Sequence, residues 1–248
     1  MPLQVHQFAC LKDNYGFLIR DEASGKTGCV DTPDAEAILA ELQALGWGLD
    51  LILNTHWHPD HAGGNARIKE VTGCEIVGPQ EVTRIAPLDR PLHQGDEVRL
   101  GETLFHVMET GGHTLGHLSY HDAADAVVFV GDTLFALGCG RVFEGSADQM
   151  WASLQSLAAL PDETLVYCAH EYTAANARFA LSVDSSPELK RRAEQVFAAR
   201  ERGEPTVPTR IGLEKASNPF LRAPLLRSGE PEVQAFAEVR KAKDVFAG

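Results

Sequence analysis

Between Thr55 and Gly64 the chain reads THWHPDHAGG, placing His56, His58, Asp60 and His61 in one short stretch that ends on two glycines. Neutral imidazoles and carboxylates suit zinc or iron, and a cluster without thiolates is more typical of a catalytic metal site than of a closed structural zinc. Three further segments offer the same donors: His113 in ETGGHTLGH, Asp132 in FVGDTLF and His170 in YCAHEYT. Each stands just beyond a run that reads as a β-strand, TLFHVME, AVVFV and TLVYC, just as LDLILNT precedes His56. Ligands gather at strand ends in layered α/β folds, because side chains there project past the packed sheet. A solvated polar turn could explain the histidine-rich loop alone. It does not explain four strand ends carrying donors in the same register.

The elements that must position these groups follow from periodicity and turn chemistry. LQVHQFA, YGFLIRD and TGCVDT read as consecutive strands, separated by Lys12-Asp13-Asn14 and Ser24-Gly25-Lys26. DTPDAEAILAELQAL reads as a helix with Thr32 as its cap, Pro33 at its first position and an apolar stripe of Ile38, Leu39, Leu42 and Leu45. LDLILNT is almost wholly apolar, the mark of a strand buried on both faces. GGNARIKEVTG resumes helix, CEIVG, EVRL and LSYHD are further strands, and ADQMWASLQSLAAL is an amphipathic helix. Beyond Tyr172 the pattern turns helical in TAANARFALSV, SPELKRRAEQVFAARERG and EPEVQAFAEVRKAKDVFA, with Ser186-Pro187-Glu188 as a helix start. The proline-rich GEPTVPTRIGLEKASNPFLRAP reads as a connector. The expected plan is a mixed α/β domain over 1–172 and a small helical domain over 173–248.

The 248 residues are 44% hydrophobic and 23% charged, enough for a substantial core. A net charge of -13 argues against nucleic acid or an anionic membrane surface as partner. No run has the length of a membrane span, and the first residues lack the basic start and apolar run of a secretory signal. Cys10, Cys29, Cys74, Cys139 and Cys168 are dispersed without a CxxC pair, so reduced thiols in a cytoplasmic protein are expected. A monomer acting on a small molecule is the expected state. Cys139 is not read as a nucleophile, since nothing nearby in sequence would serve it as a base.

The ordered set HxHxDH, His113, Asp132 and His170 resembles the metallo-β-lactamase superfamily. GDTLFALGCGRVFEGS, AHEYT, SNPFLR and VRKAKD, in that order, are similar to the glyoxalase II (hydroxyacylglutathione hydrolase) family over essentially the whole chain. The resemblance implies an αββα sandwich with a small all-helical C-terminal domain and a two-metal centre. His56, His58 and His113 would hold one metal, Asp60, His61 and His170 the other, and Asp132 would bridge both. Zinc is the expected metal, with iron or manganese compatible. His117, His6, His93, His106 and His121 are left as structural or surface histidines.

Two cations roughly 3.5 Å apart lower the pKa of a shared water toward neutrality, giving a hydroxide able to attack a thioester. Asp60 could orient it. A thiolate leaving group, with a conjugate-acid pKa of about 8.5, needs no strong general acid. The implied substrate is S-D-lactoylglutathione, cleaved to glutathione and D-lactate in methylglyoxal detoxification. By position, Arg141, Phe143, Tyr172, Arg240 and Lys243 would bind the glutathione part. Phe143 stands where the family commonly has tyrosine, Arg141 where lysine is usual, and Ala169 where glycine is usual. Persulfide dioxygenases share the fold but use one iron, and the complete second ligand set argues for the hydrolase.

Overall fold

The structure, a computed structural model, describes residues 3–247. Contacts divide the chain into two compact units: Met1–Glu109 with Gly116–Gly131, and Thr110–Leu115 with Asp132–Gly248.

In the first unit β1 (Leu3–Cys10), β2 (Asn14–Asp21) and β3 (Thr27–Val30) form an antiparallel meander. α1 (Ala35–Leu45) leads to β4 (Leu51–Leu53). A single helical turn, α2 (Pro59–Ala62), and then α3 (Asn65–Thr72) lead to β5 (Glu75–Gly78) and the short β6 (Arg90–Pro91). Strands β3, β4 and β5 run parallel, with Cys29, Ile52 and Ile76 in register. All three residues of β4 are buried, as its apolar sequence requires. β7 (Glu97–Leu100), β8 (Thr103–Glu109), β9 (Leu118–Asp122) and β10 (Val127–Gly131) pair antiparallel in succession. The two sheet faces meet through Phe17 of β2 and Phe129 of β10, whose ring centroids lie 5.7 Å apart, with Phe105 of β8 behind. On the other face of the first sheet, Ile38, Leu42 and Ile68 of α1 and α3 pack with Leu18, Ile52 and Ile76. Each such fully buried aliphatic side chain contributes about 1.5–3 kcal/mol.

One local expectation changes. Asp34, not Thr32, caps α1: its carboxylate accepts the Glu36 and Ala37 backbone N–H groups. The Thr32 hydroxyl is turned inward, donating to Asn65 Oδ1 at 2.8 Å, so the chain is tied to α3 before the helix begins. Gly63 and Gly64 have ordinary right-handed backbone angles. They are required by closeness, since a Cβ on Gly63 would lie 2.3 Å from the Pro59 carbonyl oxygen and one on Gly64 2.7 Å from that of Thr32.

The second unit begins its elements with the hairpin β11 (Leu134–Phe135) and β12 (Gly138–Cys139). α4 (Ala147–Ala158), capped by the Ser146 hydroxyl, and β13 (Leu165–Cys168) follow. Then come α5 (Thr173–Val183), α6 (Pro187–Glu201), β14 (Thr209–Arg210), α7 (Ile211–Ser217), α8 (Ala223–Leu226) and α9 (Glu232–Asp244). α5 and α6 bury Ala177, Ala180, Leu189, Ala193 and Val196 around Leu137, while Trp151, Phe179, Phe220 and Phe236 form an aromatic core among α4, α5 and α9. Ser186 occupies the cap position of α6 without a capping bond from its hydroxyl; Asp184 instead accepts the Ser186 N–H. The supposed connector is largely ordered, because Glu214 and Asn218 within it are fully buried and hydrogen-bonded. Among the described residues no helix is long and apolar enough to cross a membrane.

Candidate metal and substrate site

The histidine loop leaves the buried end of β4 and is fixed by Asp31, which follows β3 in the left-handed region at φ 58°. Asp31 Oδ1 accepts the Thr55 N–H at 2.7 Å, and Oδ2 accepts the Thr55 hydroxyl at 2.7 Å. Oδ2 also lies 2.8 Å from His61 Nδ1. A carboxylate only accepts, so the His61 proton sits on Nδ1 and Nε2 carries the lone pair. Thr55, having given its one proton to Asp31, accepts from His56 Nδ1 at 3.0 Å. That leaves His56 Nε2 as a donor of electrons, 3.0 Å from His58 Nδ1. Asp31, His56 and His61 offer ligand atoms that all lie within 4.8 Å of one another. Asp60, at the start of α2, receives the Asn14 amide at 3.0 Å on its Oδ2. His117 is buried and stacks on His56 with centroids 4.9 Å apart, so it supports the cluster through packing.

The second unit gathers its own donors. His113 Nδ1 donates to the Arg141 carbonyl at 2.8 Å, which leaves Nε2 as the electron donor, 3.4 Å from Asp132 Oδ2. His170 Nε2 lies 3.3 Å from Asp132 Oδ1. Asp132 thus turns one oxygen to each imidazole, an arrangement suited to a carboxylate shared by two cations. All three residues are buried, at the ends of the strands that the sequence reading assigned to them. The donor set of imidazole and carboxylate, with ring protons held away on Nδ1, fits a divalent metal.

Of the residues expected to contact substrate, Tyr172 and Phe143 stand against these donors. Tyr172 stacks on His170, with centroids 4.6 Å apart and planes 2° from parallel. Phe143 is 59% exposed, its ring 5.2 Å from that of His113 and 5.8 Å from the Arg141 guanidinium. Arg141 Nε donates to Asp244 Oδ1 at 3.2 Å. Arg240 and Lys243 do not lie on a solvated helix face. Arg240 is only 9% exposed, donating to the Cys139 carbonyl at 2.9 Å and to Asp244 at 3.0 Å, with its guanidinium over the Phe220 ring. Lys243 Nζ donates to the Ala175 carbonyl and lies over Phe179 and Phe246. Burial, and then the neighbouring Arg240 and Arg178, push its ammonium pKa down. Cys139 is buried and its thiol is raised to about 11 by burial despite the nearby Arg240, which removes it as a nucleophile at neutral pH.

Asp31, Asn14 and Thr55 were missed from sequence. Asp31 carries the signal used for the others, a donor at a strand end in TGCVDT, whereas Asn14 merely opens a strand after a turn.

The sequence model described as the metallo-beta-lactamase superfamily matches residues 27–170, and that described as the hydroxyacylglutathione hydrolase C-terminus matches residues 171–246. A hydroxyacylglutathione hydrolase of Maricaulis maris is 52% identical, over 98% of this chain and 99% of its own length. One of Erythrobacter litoralis is 50% identical, over 98% and 100%. Among solved structures, ETHE1 from Myxococcus xanthus is similar with a TM-score of 0.73 and 29% identity, covering 98% of this chain and 92% of that one. TTHA1623 in a di-iron-bound form has a TM-score of 0.63 and 27% identity, covering 88% and 100%.

Proposed function

Since the chain belongs to the hydroxyacylglutathione hydrolase family of the metallo-beta-lactamase superfamily, we propose that it hydrolyses S-D-lactoylglutathione, and other 2-hydroxyacyl-glutathiones, to glutathione and the free acid. The observation that carries this reading is likeness to such hydrolases along the whole chain, including the C-terminal segment with Arg240 and Lys243. In this reading His56, His58 and His113 hold one metal, Asp60, His61 and His170 a second, and Asp132 both. Residues 1–172 form the catalytic domain and 173–248 the substrate-binding one. The metal is zinc, with iron as the alternative raised by the di-iron form of the related TTHA1623. When bound, such cations acidify water and polarise the thioester carbonyl.

The chain's own residues prepare the reaction. Asp31 and the Arg141 carbonyl keep the Nε2 atoms of His61 and His113 free of protons. Asp60, steadied by Asn14, accepts a hydrogen bond from the attacking water and orients it. The glutathione thiolate leaves without a general acid, its conjugate-acid pKa being about 8.5 by the free-cysteine value. Glutathione carries two carboxylates, and on a chain of net charge -13 their capture needs a local excess of cations. Arg141, Arg240 and Lys243 supply it, Tyr172 adds a hydroxyl, and Phe143 adds an apolar face. The protein acts as a cytoplasmic monomer on this small molecule.

The test is turnover of S-D-lactoylglutathione beside a thioester lacking glutathione, with metal analysis and Asp132→Ala as the control. The thioester is expected to be cleaved and Asp132→Ala to be inactive. Equal rates on the two thioesters would overturn glutathione recognition. Oxygen consumption with glutathione persulfide, at one iron per chain, would replace the hydrolase by an oxygenase.

A further inference from the structure

In the second unit, a buried ion pair stands apart from every residue given a role so far. Glu214 of α7 is fully buried, and Arg192 of α6 nearly so. Arg192 Nη2 donates to Glu214 Oε1, which also accepts the Thr209 hydroxyl at 2.5 Å. The other oxygen, Oε2, accepts Asn218 Nδ2 and the Leu137 N–H, both at 2.9 Å. Burying such a pair is not by itself stabilising, so its presence calls for another reason.

That reason is the conformation of Leu137. It is not glycine, yet its φ is 56°, a left-handed backbone that costs a β-carbon-bearing residue energy unless its surroundings impose it. Glu214 holds its N–H. Asn218 Nδ2 donates to the carbonyls of Phe135 and Gly138, the residues paired across the β11–β12 hairpin, at 3.1 and 2.9 Å. Asn176 of α5 holds the Ala136 carbonyl at 3.1 Å, and a Cβ on Gly138 would lie 2.3 Å from its amide nitrogen. The hairpin is therefore clamped by side chains at Leu134–Cys139, between Asp132 and Arg141. Its exit delivers two carbonyls to the site: Cys139 accepts from Arg240, and Arg141 accepts from His113 Nδ1.

We propose that Glu214 and Asn218, with Arg192 as counter-ion, are positioning residues. They force the strained hairpin into the one conformation that presents the Cys139 and Arg141 carbonyls, and so set Arg240 for the substrate and the proton of His113. This deepens the hydrolase reading and rests on it only for the identity of the substrate. The network acts through backbone placement, so it governs binding geometry beyond its effect on folding.

The test compares two double variants that both remove the buried charge. Arg192→Met/Glu214→Leu leaves no acceptor for the Leu137 N–H, whereas Arg192→Met/Glu214→Gln keeps an oxygen for it. The first is expected to raise KM for S-D-lactoylglutathione about tenfold, with a smaller change in kcat, on the scale of one lost hydrogen bond. It should also speed hydrogen exchange of the Leu137 amide about tenfold or more. The glutamine variant should recover most of both effects. Asn218→Ala, which unpairs no charge, should reproduce the first variant and carries the test if either double variant does not fold. Equal KM and equal Leu137 exchange across parent and variants, with only the melting temperature lowered, would overturn the proposal. If the parent does not cleave the thioester, the hydrolase reading fails, and the exchange measurement still decides the clamp.

Discussion

Replacing Asp31 by Asn isolates the orientation of one imidazole. Asn has the same size and tolerates a left-handed backbone, so the φ of 58° is retained. Its single oxygen can keep the Thr55 N–H, which leaves an NH2 group where Oδ2 accepts the Thr55 hydroxyl and His61 Nδ1. The hydroxyl can rotate away. The imidazole cannot keep its Nδ1 proton against a donor, so the proton moves to Nε2, the nitrogen proposed to face the metal. Loss of such a supporting carboxylate costs about 10–100-fold in metal affinity, or roughly 1.4–2.7 kcal/mol. The lost charge-assisted hydrogen bond costs about 1.5–3 kcal/mol of fold stability in the metal-free protein, partly offset because a buried charge is also removed. Competition with a chromophoric chelator measures the first quantity, and thermal unfolding of the chelated protein the second. Nitrogen-15 NMR of His61 reads the tautomer directly. Metal affinity within twofold of the parent, with the proton still on Nδ1, would refute the reasoning.

Four further outcomes are expected. Phe143→Tyr should lower KM for the thioester about fivefold, the scale of one net hydrogen bond of about 1 kcal/mol; an unchanged KM removes that hydroxyl from recognition. Lys243 has its pKa pushed down, so its charge, and affinity for an anionic substrate, should be lost with rising pH earlier than for a free lysine at about 10.4. Lys243→Arg should abolish this alkaline limb of the KM profile, and coincident profiles would count against a contact. Burial alone would raise the Asp21 carboxyl, but hydrogen bonds from Ser24, Thr103 and the Glu102 N–H hold it down at about 2. Its stabilising contribution is therefore complete above about pH 4 and disappears as the pH falls toward 2, so Asp21→Asn should flatten the melting temperature across that window. Chelation should lower the melting temperature and added zinc should restore it, because a ligand that binds only the folded state stabilises it by mass action.

Donor types and strand periodicity carried most of the sequence reading, because a buried strand advertises itself by apolar residues and a ligand by standing at its end. β4, β8, β10 and β13 were all placed that way. Capping went astray at Thr32 because two residue types able to cap stand two positions apart, and only the pull of Asn65 on the Thr32 hydroxyl decides between them. Glu214 was missed for a different reason. It is a charged residue whose role comes from a partner 77 positions away, Leu137, and no local pattern encodes that pairing. The resemblance singles out Arg240 and Lys243, but helical charge patterns do not reveal the aromatic rings against which they pack.

All five cysteines are buried and free, and burial raises the thiols of Cys10 and Cys168 to about 12. Thiol–disulfide exchange requires a thiolate that can reach its partner, so these sulfurs are poor partners for glutathione disulfide. The proposed reaction releases a thiol that oxidises readily, under carbonyl and oxidative stress alike. A protein with this distribution of sulfur can work amid its own oxidised product without forming mixed disulfides while it stays folded.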